Sequence, residues 1–408
     1  MDKKILRGTG GPPRAQRQPQ RAPDTLHSRS FATIQDLISE GEIEGFATPS
    51  KAGLTQGSAA YQNASLKDVF LDDTPVLTAN ASNTSPADTD FNFQDVKFTP
   101  RFGTSNQSHI PGIESSQSTT GVGVTVTASS PVTRQITNTN VDAAKVTVTF
   151  PQLQKATDQG DLLGSTVELK IQVQYNGGGF SDVISDTITG RSADTYQKEY
   201  RVNITGAFPV DIRVSRVTAD ATETNLQDTF QWTSFGEIID DANTYANSAY
   251  AALRLDSMQF QSIPARKYRI RGIKVRIPGA GASSSGTPTV DIKTGRIVYP
   301  DGYIFNGVMG AAQWCSCPSM VLLDLLLDTR YGFGNHITES SLDLFSFVTA
   351  SKFANTLVDD GFGGQEARFS CNVNIQSSSE AFDLINELAG VMRCMPIWSA
   401  GSLSLIHI

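Results

Sequence analysis

Three adjacent carboxylate pairs, Asp72-Asp73, Asp240-Asp241 and Asp359-Asp360, are the first groups in this chain that could do acid–base chemistry. Glycoside hydrolysis needs two carboxyl groups facing each other across a bond. Each pair here sits in a turn-like setting, where neighbouring side chains point apart, so no catalytic pair is expected. Thiol or metal chemistry would fall to Cys315, Cys317, Cys371 and Cys394. A C-x-C without a matching second pair, beside four scattered histidines, fits no zinc pattern. Buried free thiols are the expectation, in keeping with a reduced compartment.

Other motifs are missing. The sequence holds no G-x-S-x-G elbow, no G-x-x-x-x-G-K-[ST] phosphate loop, no H-E-x-x-H and no D-x-[DN]-x-[DN]-G calcium loop. "GTGG" (8–11) and "YNGGG" (175–179) are turn glycines outside a strand-to-helix context. No catalytic residue, cofactor site or metal site is therefore expected, and the chain reads as a non-enzyme.

Charge points the same way. The 408 residues carry a net charge of −8, which argues against a general nucleic-acid binder. Six cations between 266 and 276 could grip phosphate, but pairing with the chain's many carboxylates or a solvated strand face is the expected use. Residues 1–22 hold six cations against one carboxylate, a net +5, in a Gly/Pro/Gln-rich stretch that reads as a disordered basic arm. No signal-peptide h-region follows it, and no stretch reaches the ~18–20 apolar residues of a membrane span.

The elements that would carry these residues are mostly strands. Phe31, Ile34 and Ile38 recur at helix-like spacing, with Gly41 and Gly45 at the exit. "SLKDVFLDDTPVL" (65–77) predicts strand, Asp-Asp turn, strand. Between about 120 and 230, strands recur roughly every ten residues. Val167, Leu169, Ile171 and Val173 alternate with polar residues, and Asn176-Gly177 predicts a hairpin turn. That spacing suggests an immunoglobulin- or fibronectin-like sandwich. "ARKYRIRGIKVRIP" (265–278) predicts one strand with Lys267, Arg269 and Arg271 on one face. Helices follow at 317–334, where Pro318 opens the first turn and Gly332 and Gly334 stop it, and at about 338–357. A third is predicted from a Ser377/Glu380 capping box, with a core stripe of Phe382, Ile385, Ala389 and Met392.

Several of these stretches, in order, resemble the tip attachment (host-specificity) protein family of lambda-like siphophage tails. They are "PDTLHS" (23–28), "ISEGEIEG" (38–45), "LDDTPVL" (71–77), "QYNGGG" (174–179), "WTSFGEIID" (232–240), "TRYGFG" (329–334), "DDGFGGQEARFSCN" (359–372) and "MRCMPIW" (392–398). The resemblance implies a mainly β (α+β) chain of tail-hub domains with an inserted immunoglobulin/fibronectin-like sandwich and a helix-containing C-terminal hub segment. The expected division is a basic arm at 1–24, a discontinuous β hub domain at 25–115 plus 232–310, the insert at 116–231 and the α/β segment at 311–408. The implied role is structural: part of the hub that closes the tail tube, in the virion, assembled in the host cytoplasm. Copies of the same chain (a trimer), other tail-tip proteins and the tape-measure protein are the implied partners. A host receptor would be met only through downstream parts not present. No membrane and no specific nucleic acid is implied. The competing reading is an adhesin or carbohydrate-binding sandwich, although 105–225 contains no Trp. The match fades after Leu403, and "LSLIHI" (403–408) reads as a broken gene end, so a cut chain is expected.

Overall fold

The structure is a computed structural model and describes residues 18–260, 262–376, 380–399 and 401–407. The chain divides into two compact units, one of residues 1–30 with 111–241 and one of 31–110 with 242–408.

The sandwich of the first unit is two four-stranded antiparallel sheets, with a small three-stranded sheet of Leu162–Leu163, Gln154–Ala156 and Leu226–Gln227 beside them in sequence. One four-stranded sheet runs Ser181–Gly190, Ser165–Tyr175, Val210–Arg216, Val132–Ile136; the other Tyr196–Asn203, Ala143–Phe150, Gln231–Asp240, Glu114–Thr125. The period-2 alternation works as expected: Val167, Leu169, Ile171 and Val173 are fully buried, as are Val210, Ile212 and Val214. Phe150, Phe230 and Trp232 join this core. Asn176 and Gly177 take φ of 47° and 72° and reverse the chain into Ser181–Gly190, the backbone that an Asn-Gly hairpin requires.

Three boundaries differ from expectation. The insert continues past 231, because Gln231–Asp240 is an interior strand paired on both sides, and "WTSFGEIID" therefore belongs to the sandwich. Residues 25–30 and 111–115 also fall in the first unit. Of the expected disordered arm, residues 1–17 lie outside the described residues, whereas 20–24 are paired. Leu162 N donates to Gln20 O and Ala22 N to Leu162 O, each at 2.9 Å, and Asp24 meets Arg191 at 2.8 Å.

In the second unit, Phe31–Glu40 is a strand and not a helical turn. It pairs with Ser248–Asp256, whose other edge pairs with Lys97–Phe102. The buried face of that central strand supplies a ladder that local spacing cannot reveal. "LDDTPVL" forms the expected hairpin, with Asp72 and Asp73 at φ of 46° and 68°. Segment 265–278 is three short strands and not one. Arg266–Tyr268 pairs with Val69–Leu71, Ile270–Ile273 with Ile43–Phe46, and Val275–Pro278 with Met309–Gln313.

Five α-helices among the described residues belong to this unit: α1 (Ala47–Lys51), α2 (Ala59–Ser65), α3 (Pro318–Leu327), α4 (Leu344–Ala354) and α5 (Ala381–Val391). Pro318 does open α3, but the helix ends at Leu327, short of Arg330. There Asp328 Oδ1 accepts from Arg330 N and Tyr331 N, which turns the chain away. Gly332 and Gly334 lie so close to the Leu325 and Leu327 carbonyls that a Cβ would sit 2.1 Å from each oxygen. Only glycine lets the chain pack back on the helix end. Before α4, residues 339–341 form a separate 3-10 turn, and Asp343 is the N-cap. For α5, Ser377 lies outside the described residues, and Glu380 occupies the N-cap without a side-chain cap bond. Its stripe is only partly core: Ala389 and Met392 are buried, while Phe382 is 73% exposed.

Candidate functional site

The cations of 266–276 are consumed by the fold. Arg266 Nε lies 2.6 Å from Asp36 Oδ2, Arg269 2.7 Å from Asp68, Lys274 2.8 Å from Glu42 and Arg276 2.8 Å from Glu339. Lys267 pairs with Asp73. Asp68, Asp73 and Glu42 flank the strands Val69–Leu71 and Ile43–Phe46 with which this segment pairs, so charge and ladder pairing reinforce one another there. Burial pushes the Asp36 carboxyl up, but hydrogen bonds from Arg266 and Tyr268 outweigh it and hold the group below the usual carboxylate range. Asp68 is fully buried and satisfied: it accepts from Thr48 N and Thr48 Oγ1 as well as from Arg269. Arg271 is buried too, with its guanidinium 4.3 Å over the Trp314 ring, and burial pulls its pKa down. No face of free cations is left on this segment for phosphate.

The carboxylate pairs are also occupied. Asp72 Oδ1 accepts from Ala265 N, and Asp240 meets Arg201 at 2.5 Å. Asp360 Oδ1 accepts from Phe362 N and Gly364 N, bonds that lower its pKa. The four cysteines are free and share the core around α3. Burial pushes all four thiols up, away from the reactive thiolate. Among the described residues, no group of three or more His, Cys, Asp and Glu side chains is placed to hold a metal.

Two built features escaped the sequence reading. "TRYGFG" is a joint: Arg330 Nε reaches Glu40 at 2.6 Å and its other nitrogens donate to Ala246 O and Ser248 Oγ. Beside it, Tyr331 Oη donates to the half-buried Asp324 at 2.6 Å, and burial pushes that carboxyl up to about 6. The second is the tip of the hairpin formed by Leu357–Asp359 and Gln365–Ala367, where Phe362 is 97% exposed. The signal for it was present in the string Asp-Gly-Phe-Gly-Gly, a turn composition wrapped around one large apolar residue.

Among the described residues, these charged groups and thiols are engaged within the chain itself. Residues 116–241 match the family model of the FNIII-A domain of tip attachment protein J. The chain is similar along its length to tip attachment protein J of Escherichia phage SECphi4, 29% identical over 404 residues that cover 98% of this chain and 32% of that protein. A second such protein J, of Escherichia phage SECphi27, is 27% identical over 412 residues, covering all of this chain and 31% of its own length. The chain thus spans about a third of the length of these protein J relatives. A solved structure titled "CBM4 structure and function" is 11% identical over 44% of this chain and 94% of its own, with a TM-score of 0.16 that carries no argument.

Proposed function

We propose that this chain is a structural part of a phage tail tip, a portion of the hub that closes the tail tube and links it to the receptor-binding fibre during host attachment and DNA delivery. The whole-length similarity to tip attachment protein J, with the FNIII-A match inside it, carries the reading. The β-rich build of the chain and the FNIII-A match at 116–241 support the same reading. The role is non-enzymatic, and no helix among the described residues is long and apolar enough to cross a membrane. The chain assembles in the host cytoplasm with copies of itself, as a trimer, and with other tail-tip and tape-measure proteins. Gold-labelled Fab fragments raised against this chain should decorate one end of the tail in electron micrographs of the parent virion. Label on the capsid, or none on intact tails, would sink the proposal.

A further inference from the structure

The turn at 360–364 holds Phe362 out in solvent, more exposed than any other large apolar residue among the described residues. Its backbone is fixed and not slack. Asp360 Oδ1 accepts from Phe362 N at 2.8 Å and Gly364 N at 2.9 Å, and Asp360 N donates to Gly364 O at 3.2 Å. Gly361 and Gly363 take φ of 79° and 90°, which a side chain would strain. Holding a phenyl ring in water is unfavourable, and a rigid turn prevents it from folding back. Pre-organised exposure of this kind suits insertion into a partner. The hairpin is also acidic: Asp359, Asp360 and Glu366 lie in 357–367 with no cation, and none is ion-paired among the described residues.

A complementary surface lies on the same chain. Ser346, Thr349, Ala350 and Phe353, spaced along one face of α4, line a pocket of about 390 Å³ with Leu405. Arg368 sits 4.5 Å over the Phe353 ring, and Arg393 lies 5.9 Å from Phe369, whose ring packs on Phe353. Both guanidiniums are exposed and neither is ion-paired among the described residues. Asp343 caps the N-terminal end of α4, accepting from Ser346 N and Ser404 Oγ. The lining is apolar enough for a phenyl ring, and the unpaired guanidinium of Arg368 over the lining Phe353 is opposite in charge to the carboxylates of a second copy's hairpin.

We propose that Phe362 of one copy seats in the α4 pocket of a second copy, with its acidic turn against Arg368 and Arg393. This rests on the reading that the chain assembles with copies of itself, and names the contact. Phe362's exposure shows that it does not fill its own chain's pocket. Three carboxylates would oppose insertion into an anionic membrane, so a protein pocket is the better match. Knob and pocket are different surfaces, so each copy gives one and takes one.

Sedimentation velocity of the 408-residue chain over a concentration series tests this. Phe362→Ala should weaken self-association about tenfold to a hundredfold, the loss of one buried aromatic side chain. Thr349→Trp, which fills the pocket from an exposed position, should do the same, and Gln365→Ala on the same hairpin should change nothing. Mixing the first two variants should recover a dimer, since one retains the pocket and the other the ring. Matching urea midpoints guard against misfolding. Self-association untouched by both variants, or lost in both without recovery on mixing, would overturn the contact while leaving self-assembly standing. A wild-type chain monomeric at every concentration would overturn both. Phe362-dependent binding to phosphatidylglycerol vesicles without self-association would overturn it in favour of a membrane contact.

Discussion

Asp324 and Asp68 are both carboxylates withdrawn from water, and their surroundings give them opposite consequences. Asp68 has a guanidinium, a hydroxyl and a backbone N–H around it. Asp324 has one phenol donor, with Asp328 nearby raising its pKa further and Arg276 only partly offsetting this. Because the folded-state value of about 6 lies above the ordinary 3.8, the folded chain holds its proton longer than the unfolded chain does. Asp324's contribution is therefore fully present below about pH 4 and is lost as pH rises through about 6. We predict that Asp324→Asn, whose amide oxygen can still accept from Tyr331, flattens the stability–pH profile between pH 4 and 7 in urea titrations. At pH 8 it should match or exceed the wild type, by up to ~2 kcal/mol. Asp68→Ala should instead cost ~2–4 kcal/mol, since it strands buried donors and an arginine. Lys267→Ala, in a pair exposed on both sides, should move the urea midpoint little, by less than ~0.5 kcal/mol.

Individual elements were legible where the pattern depends on neighbours in sequence. The Val167–Val173 alternation, the Asp72-Asp73 turn, the Asn176-Gly177 reversal and Pro318 at the start of α3 all act through local backbone geometry and the fixed period of a strand. Gly177→Val should cost the sandwich ~1–2 kcal/mol in a urea melt, because a β-branched residue is strained at φ of 72°. A melt unchanged by that substitution would show that the turn does not hold the hairpin's register. Elements that depend on distant partners are not legible from neighbours in sequence. Phe31–Glu40 carries helix-like spacing but extends because Ser248–Asp256 offers it a ladder. Segment 265–278 looks like one strand but meets three partners in turn along its length, and the break points are set by the chain it meets. In α5, Phe382 sits on the expected stripe yet faces solvent.

At the scale of the whole molecule, each unit has its own hydrophobic core, so each should unfold as its own cooperative system. Trp232 is fully buried in the first unit, while Trp314 and Trp398 belong to the second. Residues 111–241 expressed alone should give a single cooperative urea transition with blue-shifted Trp232 emission. In a Trp314→Phe/Trp398→Phe chain the same transition should be read without interference. Red-shifted emission from the isolated segment at zero urea would contradict an autonomous core.

The sequence by itself determined the β-rich class, the alternation that fills the sandwich and the turn positions. These follow from residue chemistry and short-range backbone preference, which need no fold to be read. It also carried the resemblance to the tip attachment family, through motifs scattered in a fixed order. Only the tertiary structure decided which charge meets which. Cations that could have gripped phosphate are spent on Asp36, Asp68, Asp73, Glu42 and Glu339, all distant in sequence. It likewise moved Gln231–Asp240 into the sandwich and set Phe362 outside every core. Burial and pairing depend on where the chain returns in space, and that is fixed by the summed packing of both units and not by any local window.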